Sequence, residues 1–98
     1  MSDVYSSGNW TAKEGEEDAF VAAWKEFAGW LNTMPGAGTA RLTRDLEDPR
    51  RFVSFAPWES LDAMHAWKST PEFKEKMGAV QQHVAEFTPN EMQLVAEV

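Results

Sequence analysis

Apolar side chains in the first half of the chain recur at alternating spacings of four and three, the pattern of one face of a helix. This stripe consists of Phe20, Trp24, Phe27, Leu31 and Met34. The mainly acidic run at 14–18 suits the positive end of the helix dipole, and Pro35-Gly36 stops the stripe. The pattern therefore predicts one long amphipathic helix.

A second helical region is predicted after residue 60, where the side chain of Ser60 can cap a helix. Leu61, Met64 and Trp67 supply its apolar face. Thr70 followed by Pro71 fits an N-cap and a first helical position, which predicts a break and a restart. The restarted helix has another stripe at spacings of four and three, formed by Phe73, Met77, Val80, Val84 and Phe87.

The remaining segments are typical of strands because they alternate or are rich in β-branched and aromatic residues. They span Val4–Ala12, Thr39–Leu46, Arg50–Ala56 and Met92–Val98. The predicted order β-α-β-β-α-β is that of the ferredoxin-like α+β fold, a four-stranded antiparallel sheet with helices on one face. Val53 and Phe55 point to the opposite face of their strand from Phe52, and residues 94–96 are apolar on both faces. Such a bare apolar face predicts sheet-to-sheet pairing into a homodimer.

Composition narrows the function classes. The 98 residues predict one domain, 1–98, and five Trp with six Phe are more aromatic mass than so small a core needs. A net charge of -7 argues against nucleic acid and anionic membranes as partners. The absence of Cys, of a signal peptide pattern and of any membrane-length apolar run predicts a cytoplasmic protein.

Metal and nucleotide chemistry have little support in the sequence. The two histidines are His65 and His83, and their spacing from Asp62 and Glu86 predicts surface ion pairs rather than metal ligation. Gly-x-Ser-x-Gly and phosphate-binding glycine motifs are absent. What remains is a group of aromatic residues near small polar ones: Asn9, Trp10, Ser54, Trp58 and Trp67. These residues predict either a pocket for a small apolar or aromatic molecule or an aromatic core.

The run Phe52-Val53-Ser54-Phe55-Ala56-Pro57-Trp58-Glu59-Ser60, continued by Ala63, Trp67, Pro71 and Phe73, resembles the signature of antibiotic biosynthesis monooxygenase domains. The resemblance implies a dimeric α+β barrel. The family includes cofactor-independent quinol and anthrone oxygenases, haem-degrading enzymes and isomerases, and fold alone does not choose between them.

The resemblance also implies site residues. Anthrone oxygenases of the family use an Asn, a Trp and a Tyr, and the matching positions here are Ser54, Trp58 and Met64. Haem degraders use an Asn near the position of Asn9, a Trp that matches Trp67 and an axial ligand at the position of Met77. The predicted catalytic residues are Ser54, Trp58 and Asn9. The predicted substrate-binding residues are Trp67, Trp24, Phe52, Met64, His65 and Met77.

These expectations lead to three interpretations. The first is a monooxygenase without metal or cofactor that oxidises a small aromatic, quinol or polyketide-like substrate with dioxygen. The second is a non-catalytic dimer of the same fold that binds an unidentified ligand. The third is a haem-binding or haem-degrading protein.

Overall fold

A computed structural model describes residues 4–98 of the chain. The elements are β1 (Val4–Ala12), α1 (Glu17–Leu31), β2 (Arg41–Arg44), β3 (Arg51–Trp58), α2 (Leu61–Lys68), α3 (Pro71–Gln81) and β4 (Val84–Gln93). The four strands form one antiparallel sheet in the order β2-β3-β1-β4. This arrangement confirms the predicted ferredoxin-like α+β fold. Within the described residues, every helix is too short or too polar to cross a membrane.

Side-chain alternation along the two central strands decides which face of the sheet meets the helices. Gly8, Trp10 and Ala12 on β1 are buried, as is every second residue of β3 from Phe52 to Trp58. Phe20 of α1 packs between Trp10 and Phe52, with ring centroids 5.4 and 4.8 Å away. The core therefore lies between this inner face and the helices, while Asn9 and Val53 are exposed on the outer face.

The break in the second helical region is confirmed. The Oγ of Ser60 caps α2 by accepting a hydrogen bond from the backbone N–H of Ala63 at 3.1 Å. Thr70 is the N-cap residue of α3, and Pro71 is its first residue. The hydroxyl of Thr70 donates back to the carbonyl oxygen of Trp67 at 2.9 Å, which ties the end of α2 to the start of α3.

The prediction for the last helix and strand was wrong. The helix was expected to continue through Phe87, but α3 ends at Gln81 and β4 begins at Val84. The strand register shifts between Thr11 and Ala12, so that Val84 lies opposite Ala12 and Phe87 opposite Trp10. This bulge places two residues three apart on the same inner face, which imitates helical spacing in the sequence. Residues 94–98, predicted as strand, are exposed and have no regular structure.

Other boundaries moved by a few residues. The long first helix ends at Leu31 rather than near Met34, and turns follow it. Strand β3 continues through Pro57 to Trp58. A proline is tolerated there because the pairing of β2 with β3 stops at Phe55, so no neighbouring strand requires an N–H from residue 57 on that side. The extension adds Trp58 to the inner face.

Candidate functional site

A cavity of about 270 Å³ lies between the inner face of the sheet and helices α1 and α3. Its size is near the lower end of the roughly 300–1,000 Å³ that is usual for small-molecule sites. The walls are mainly aromatic and are formed by Trp10, Trp24, Phe27, Trp67, Phe73 and Phe87. The polar residues of the lining are Ser6, Ser7, Ser54, Lys68 and Gln81. Ser7 is opposite Phe55, so the alternation of the strand puts its side chain on the outer face.

Ser54 lies on the sheet side of this cavity and is 8% exposed. Its Oγ accepts a hydrogen bond from the indole Nε1 of Trp10 at 2.8 Å. A serine hydroxyl can accept and donate, and the indole uses only its accepting capacity. Within residues 4–98 the hydroxyl hydrogen of Ser54 has no protein acceptor, so this hydrogen is available to a ligand.

The ring of Trp10 is fixed by aromatic neighbours on two sides. Phe87 of β4 stacks on it with ring centroids 4.0 Å apart and an interplanar angle of 22°. Phe20 of α1 contacts it in a tilted geometry at 5.4 Å. This packing holds the indole N–H toward Ser54.

A second hydrogen bond of the same kind joins Trp58 and Ser6. The indole Nε1 of Trp58 donates to the Oγ of Ser6 at 3.0 Å, and Ser6 also lines the cavity. Ser6 is opposite Ala56 in the β1–β3 register, while Gly8 is opposite Ser54. The two serines are therefore diagonal neighbours on adjacent strands. The Cβ atoms of such diagonal pairs are usually within about 7–8 Å of each other.

Gly8 makes this arrangement possible. A Cβ atom at this position would lie 2.8 Å from Nε1 of Trp10, 2.9 Å from the ring of Phe87 and 3.1 Å from Oγ of Ser54. Glycine is thus required by close approach and not by an unusual backbone angle, since the φ of Gly8 is not positive. The missing side chain gives the indole of Trp10 and the ring of Phe87 room to pack against the strand beside Ser54.

Trp67 of α2 closes the cavity on the helix side. Its ring contacts Trp58 at 5.2 Å and meets Phe73 of α3 edge-on at 4.9 Å and 90°. Its Nε1 is the one buried side-chain nitrogen or oxygen of residues 4–98 that lacks a hydrogen-bond partner. Leaving such a donor unpaired costs about 1–3 kcal/mol. Unpaired buried donors are rare in native structures, and a role at a functional site is one explanation for them.

The predicted site residues are only partly brought together. Ser54, Trp24, Trp67 and Met77 line the cavity. Trp58 is buried outside the cavity lining and is connected to the cavity by its hydrogen bond to Ser6. The other four predicted residues lie outside the lining: Met64 and Phe52 in the core, His65 on the surface of α2, and Asn9 on the outer face of the sheet.

Several residues that line the cavity were not among the predicted site residues, and on β1 these include Ser6, Gly8 and Trp10. Of these three, only Trp10 stands out in the sequence, as the neighbour of Asn9. The signal that could have found them is the period of two along β1. Asn9 and Trp10 are neighbours, so only one of them can face the helices, and the aromatic residue takes the inner side. Other even-numbered residues of β1, among them Ser6 and Gly8, then face the helices as well.

The residues do not fit a haem site of the kind that the resemblance implied. Asn9 is on the outer face of the sheet, while Trp67 and Met77 line the cavity on the inner face. The three side chains therefore cannot act on one bound macrocycle. Within the described part of the chain, no group of three His, Asp or Glu side chains is placed to hold a metal ion.

Charged residues cluster beside the cavity at the last turn of α2. Glu91 of β4 contacts His65 through Nε2 and Lys68 through Nζ, both at 3.0 Å. His83 pairs with Glu16 at 2.9 Å. Neither histidine therefore forms the ion pair predicted from helical spacing, because β4 begins early and brings Glu91 beside α2. The hydrogen bonds from His65 and Lys68 hold the pKa of Glu91 below its ordinary value.

This lowered pKa predicts an acid-dependent loss of stability. A carboxylate with a depressed pKa in the folded state stabilises the fold above its unfolded pKa, near 4.5 for Glu91, and this contribution disappears as the pH falls through the folded pKa. We expect Glu91→Gln to lower the free energy of unfolding by at most about 1 kcal/mol at neutral pH, because the pair is partly exposed. Below about pH 4 the difference should shrink. Urea unfolding at several pH values measures it, with Glu97→Gln as the control, and a difference that grows on acidification would contradict the prediction.

Comparison with known proteins places this cavity in a familiar fold. A family model described as antibiotic biosynthesis monooxygenase matches residues 4–79. No curated protein sequence matches the chain significantly. A crystal structure from Bordetella bronchiseptica, provisionally assigned as an antibiotic biosynthesis monooxygenase, has a TM-score of 0.86 at 21% identity, covering 98% of this chain and 100% of that one.

Two further solved structures are similar. SnoaB from Streptomyces nogalater, described as a cofactor-independent oxygenase, has a TM-score of 0.82 at 19% identity, covering 100% of this chain and 96% of that one. A provisionally assigned antibiotic biosynthesis monooxygenase from Deinococcus radiodurans has a TM-score of 0.83 at 19% identity, with 97% and 95% covered. At identities this low, the structural likeness shows a shared fold and no more.

Proposed function

The chain belongs to the antibiotic biosynthesis monooxygenase family, and on that premise we propose that it is a cofactor-independent monooxygenase acting on a small, planar, electron-rich aromatic or quinol-like substrate. The observation that carries this proposal is the aromatic cavity with the buried hydroxyl of Ser54 on its sheet side. The likeness to SnoaB, described as a cofactor-independent oxygenase, supports the absence of a cofactor.

The chemistry asks little of the protein. A deprotonated electron-rich substrate can transfer an electron to dioxygen itself. In an anthrone-type substrate the ring CH₂ group then becomes a carbonyl: one oxygen atom enters the substrate, and the other leaves as water with the two hydrogens. The protein contributes a cavity that excludes water and a donor for the developing oxyanion. The walls of Trp24 and Trp67 supply the first, and the free O–H of Ser54 supplies the second.

Lys68 is the charged side chain among the lining residues of the cavity. A cation near the substrate favours its ionised form and so assists loss of the first proton. The pairing of Nζ with Glu91 at 3.0 Å offsets part of this effect. Lys68 cannot itself accept this proton while it is an ammonium group. Met64, at the position where the resemblance implied a phenol, is fully buried outside the cavity lining and takes no part.

Oxygen consumption tests the proposal. We expect uptake with a panel of anthrones and quinols, and Ser54→Ala should lower kcat by on the order of a hundredfold because one oxyanion donor is lost. Ser69→Ala is the matched control, since Ser69 is exposed and its hydroxyl donates to the carbonyl of His65 in α2. If the folded protein consumes no oxygen with any member of the panel, the proposed activity is wrong.

A ligand-binding role without catalysis is the second candidate. It is favoured because the residues lining the cavity within 4–98 include no carboxylate, imidazole or phenol that could receive a substrate proton. Saturable binding of panel compounds without oxygen consumption would select this function over the first.

We also propose that the chain forms a homodimer through the outer face of its sheet. Val53 is 42% exposed and Met92 is 55% exposed, and the half-buried Tyr5 and Phe55 lie on the same face. Exposed apolar side chains on an uncovered sheet are typical of an interface. If the outer face of a second copy packed on this face in a two-fold arrangement, these apolar side chains would be buried.

Introducing a charge at the centre of the outer face is expected to separate the subunits. Val53→Glu should change the mass measured by light scattering from about twice 11.1 kDa to 11.1 kDa, because an unpaired carboxylate is costly to bury. Leu46→Glu is the control, since Leu46 is fully exposed in the turn between β2 and β3. A Val53→Glu protein that keeps the wild-type mass would exclude this face as the interface.

A further inference from the structure

The inner face of the sheet carries two reciprocal tryptophan–serine hydrogen bonds. Trp10 of β1 donates to Ser54 of β3 at 2.8 Å, and Trp58 of β3 donates to Ser6 of β1 at 3.0 Å. An indole N–H can only donate, so both serine oxygens must accept. Each serine therefore keeps one O–H hydrogen that the indole does not use.

Both hydroxyl hydrogens are available to the cavity. Ser6 and Ser54 line it, and within residues 4–98 neither hydroxyl donates to a protein acceptor. Accepting a hydrogen bond polarises a hydroxyl and strengthens it as a donor in an apolar environment. The indole also fixes one lone pair, which restricts rotation of the O–H bond. The two hydroxyls are thus prepared to donate.

We propose that Ser6 and Ser54 together bind the oxygen-bearing edge of one planar ligand, and that Trp58 and Trp10 are the positioning residues that orient their hydroxyls. The inference rests on the proposed function for the class of ligand, a small aromatic molecule. Gly8 is opposite Ser54 and two residues from Ser6, and its missing side chain gives the indole of Trp10 room to reach and orient the hydroxyl of Ser54.

This arrangement makes Ser6 a specificity-determining residue. An aromatic ligand with two adjacent oxygens on one edge engages both donors, a ligand with one oxygen makes fewer bonds, and a ligand without oxygen makes neither. A site built to donate to oxygen discriminates strongly against analogues that lack it, because its buried polar groups are then left unpaired.

Binding of three related probes tests the proposal: naphthalene, 1-naphthol and 1,8-dihydroxynaphthalene, titrated calorimetrically without oxygen. We expect Ser6→Ala and Ser54→Ala each to raise the Kd of 1,8-dihydroxynaphthalene about threefold to tenfold, the range for one neutral hydrogen bond. Neither substitution should raise the Kd of naphthalene, and Ser69→Ala should leave the Kd of all three probes unchanged. The affinity order of the wild type should follow the number of oxygens.

A double-mutant cycle separates positioning from packing. Trp58→Phe keeps an aromatic ring but removes the N–H, so it should weaken 1,8-dihydroxynaphthalene about as much as Ser6→Ala does. Adding Trp58→Phe to Ser6→Ala should then cost little more, because both changes act on the same bond. If Trp58 acted only by packing, Trp58→Phe would weaken the binding of all three probes equally, and its effect would add to that of Ser6→Ala.

Two results would overturn the proposal. One is a Ser6→Ala protein that binds 1,8-dihydroxynaphthalene like the wild type. The other is a folded wild type that binds none of the probes or binds them without regard to oxygen. Because the titrations involve no turnover, a protein that binds as expected but consumes no oxygen would contradict the proposed oxygenase activity and leave the two-hydroxyl site standing.

Discussion

Replacing Gly8 with alanine is expected to destabilise the fold by about 1–3 kcal/mol, the usual cost of overpacking a tight site, and to abolish ligand binding in the cavity. The new methyl group would lie 2.8 Å from Nε1 of Trp10 and 2.9 Å from the ring of Phe87. These two rings are stacked on each other, so neither can move without disturbing the other. The methyl group would also lie 3.1 Å from Oγ of Ser54 and would separate the serine from its indole donor.

Two helical glycines provide matched controls of opposite sign. A Cβ at Gly29 of α1 or Gly78 of α3 meets nothing within 4 Å, and both residues are exposed. Gly→Ala in a helix interior should therefore stabilise the protein by roughly 0.5–1 kcal/mol. Unfolding in urea at a fixed protein concentration measures all three variants. A Gly8→Ala protein as stable as these controls, with unchanged probe affinity, would show that the sheet side of the cavity is not tightly packed.

The fold was predictable because most of its local signals agree. The stripe from Phe20 to Leu31, the Ser60 cap and the Thr70-Pro71 restart each specify one local structure. The exception is β4, where a bulge opposite Ala12 places Val84 and Phe87 on one face at a spacing of three. Periodicity in a single sequence cannot reveal a bulge, since the bulge is defined by pairing with another strand.

The candidate site was predicted less completely. Ser54 and Trp67 could be inferred as part of a pocket because their segments carry the resemblance to a known family. On β1 the polar residue Asn9 was preferred, but the cavity is lined by Gly8 and Trp10, whose importance depends on contacts across the sheet. The two tryptophan–serine bonds join residues 44 and 52 positions apart, so only the strand register brings them together.

Chemical type alone also misplaced some side chains. His65 was expected to serve a ligand, yet its ring is half exposed and contacts Glu91. Met64 occupies a position that the resemblance connected with catalysis, but α2 directs it into the core, where it is fully buried. A helix has one buried stripe, and whether a residue of that stripe meets a cavity or packed atoms is decided by the neighbouring elements.

Truncating Phe20 is expected to have the largest effect on stability. Phe20 is fully buried and contacts both Trp10 and Phe52, so Phe20→Ala should lower the free energy of unfolding by about 3–5 kcal/mol, the usual cost of losing a buried phenyl ring and leaving a cavity. That is a large fraction of the roughly 5–15 kcal/mol available to a small domain. Phe20→Leu should cost much less, and Leu46→Ala, at a fully exposed position, should stay within about 0.5 kcal/mol of wild type.

Because Phe20 supports the ring of Trp10, the Phe20→Ala protein should also bind 1,8-dihydroxynaphthalene more weakly while still folded. If Phe20→Ala lowered the free energy of unfolding by less than about 1 kcal/mol, the centre of the range for ordinary point substitutions, this aromatic contact would not anchor the core.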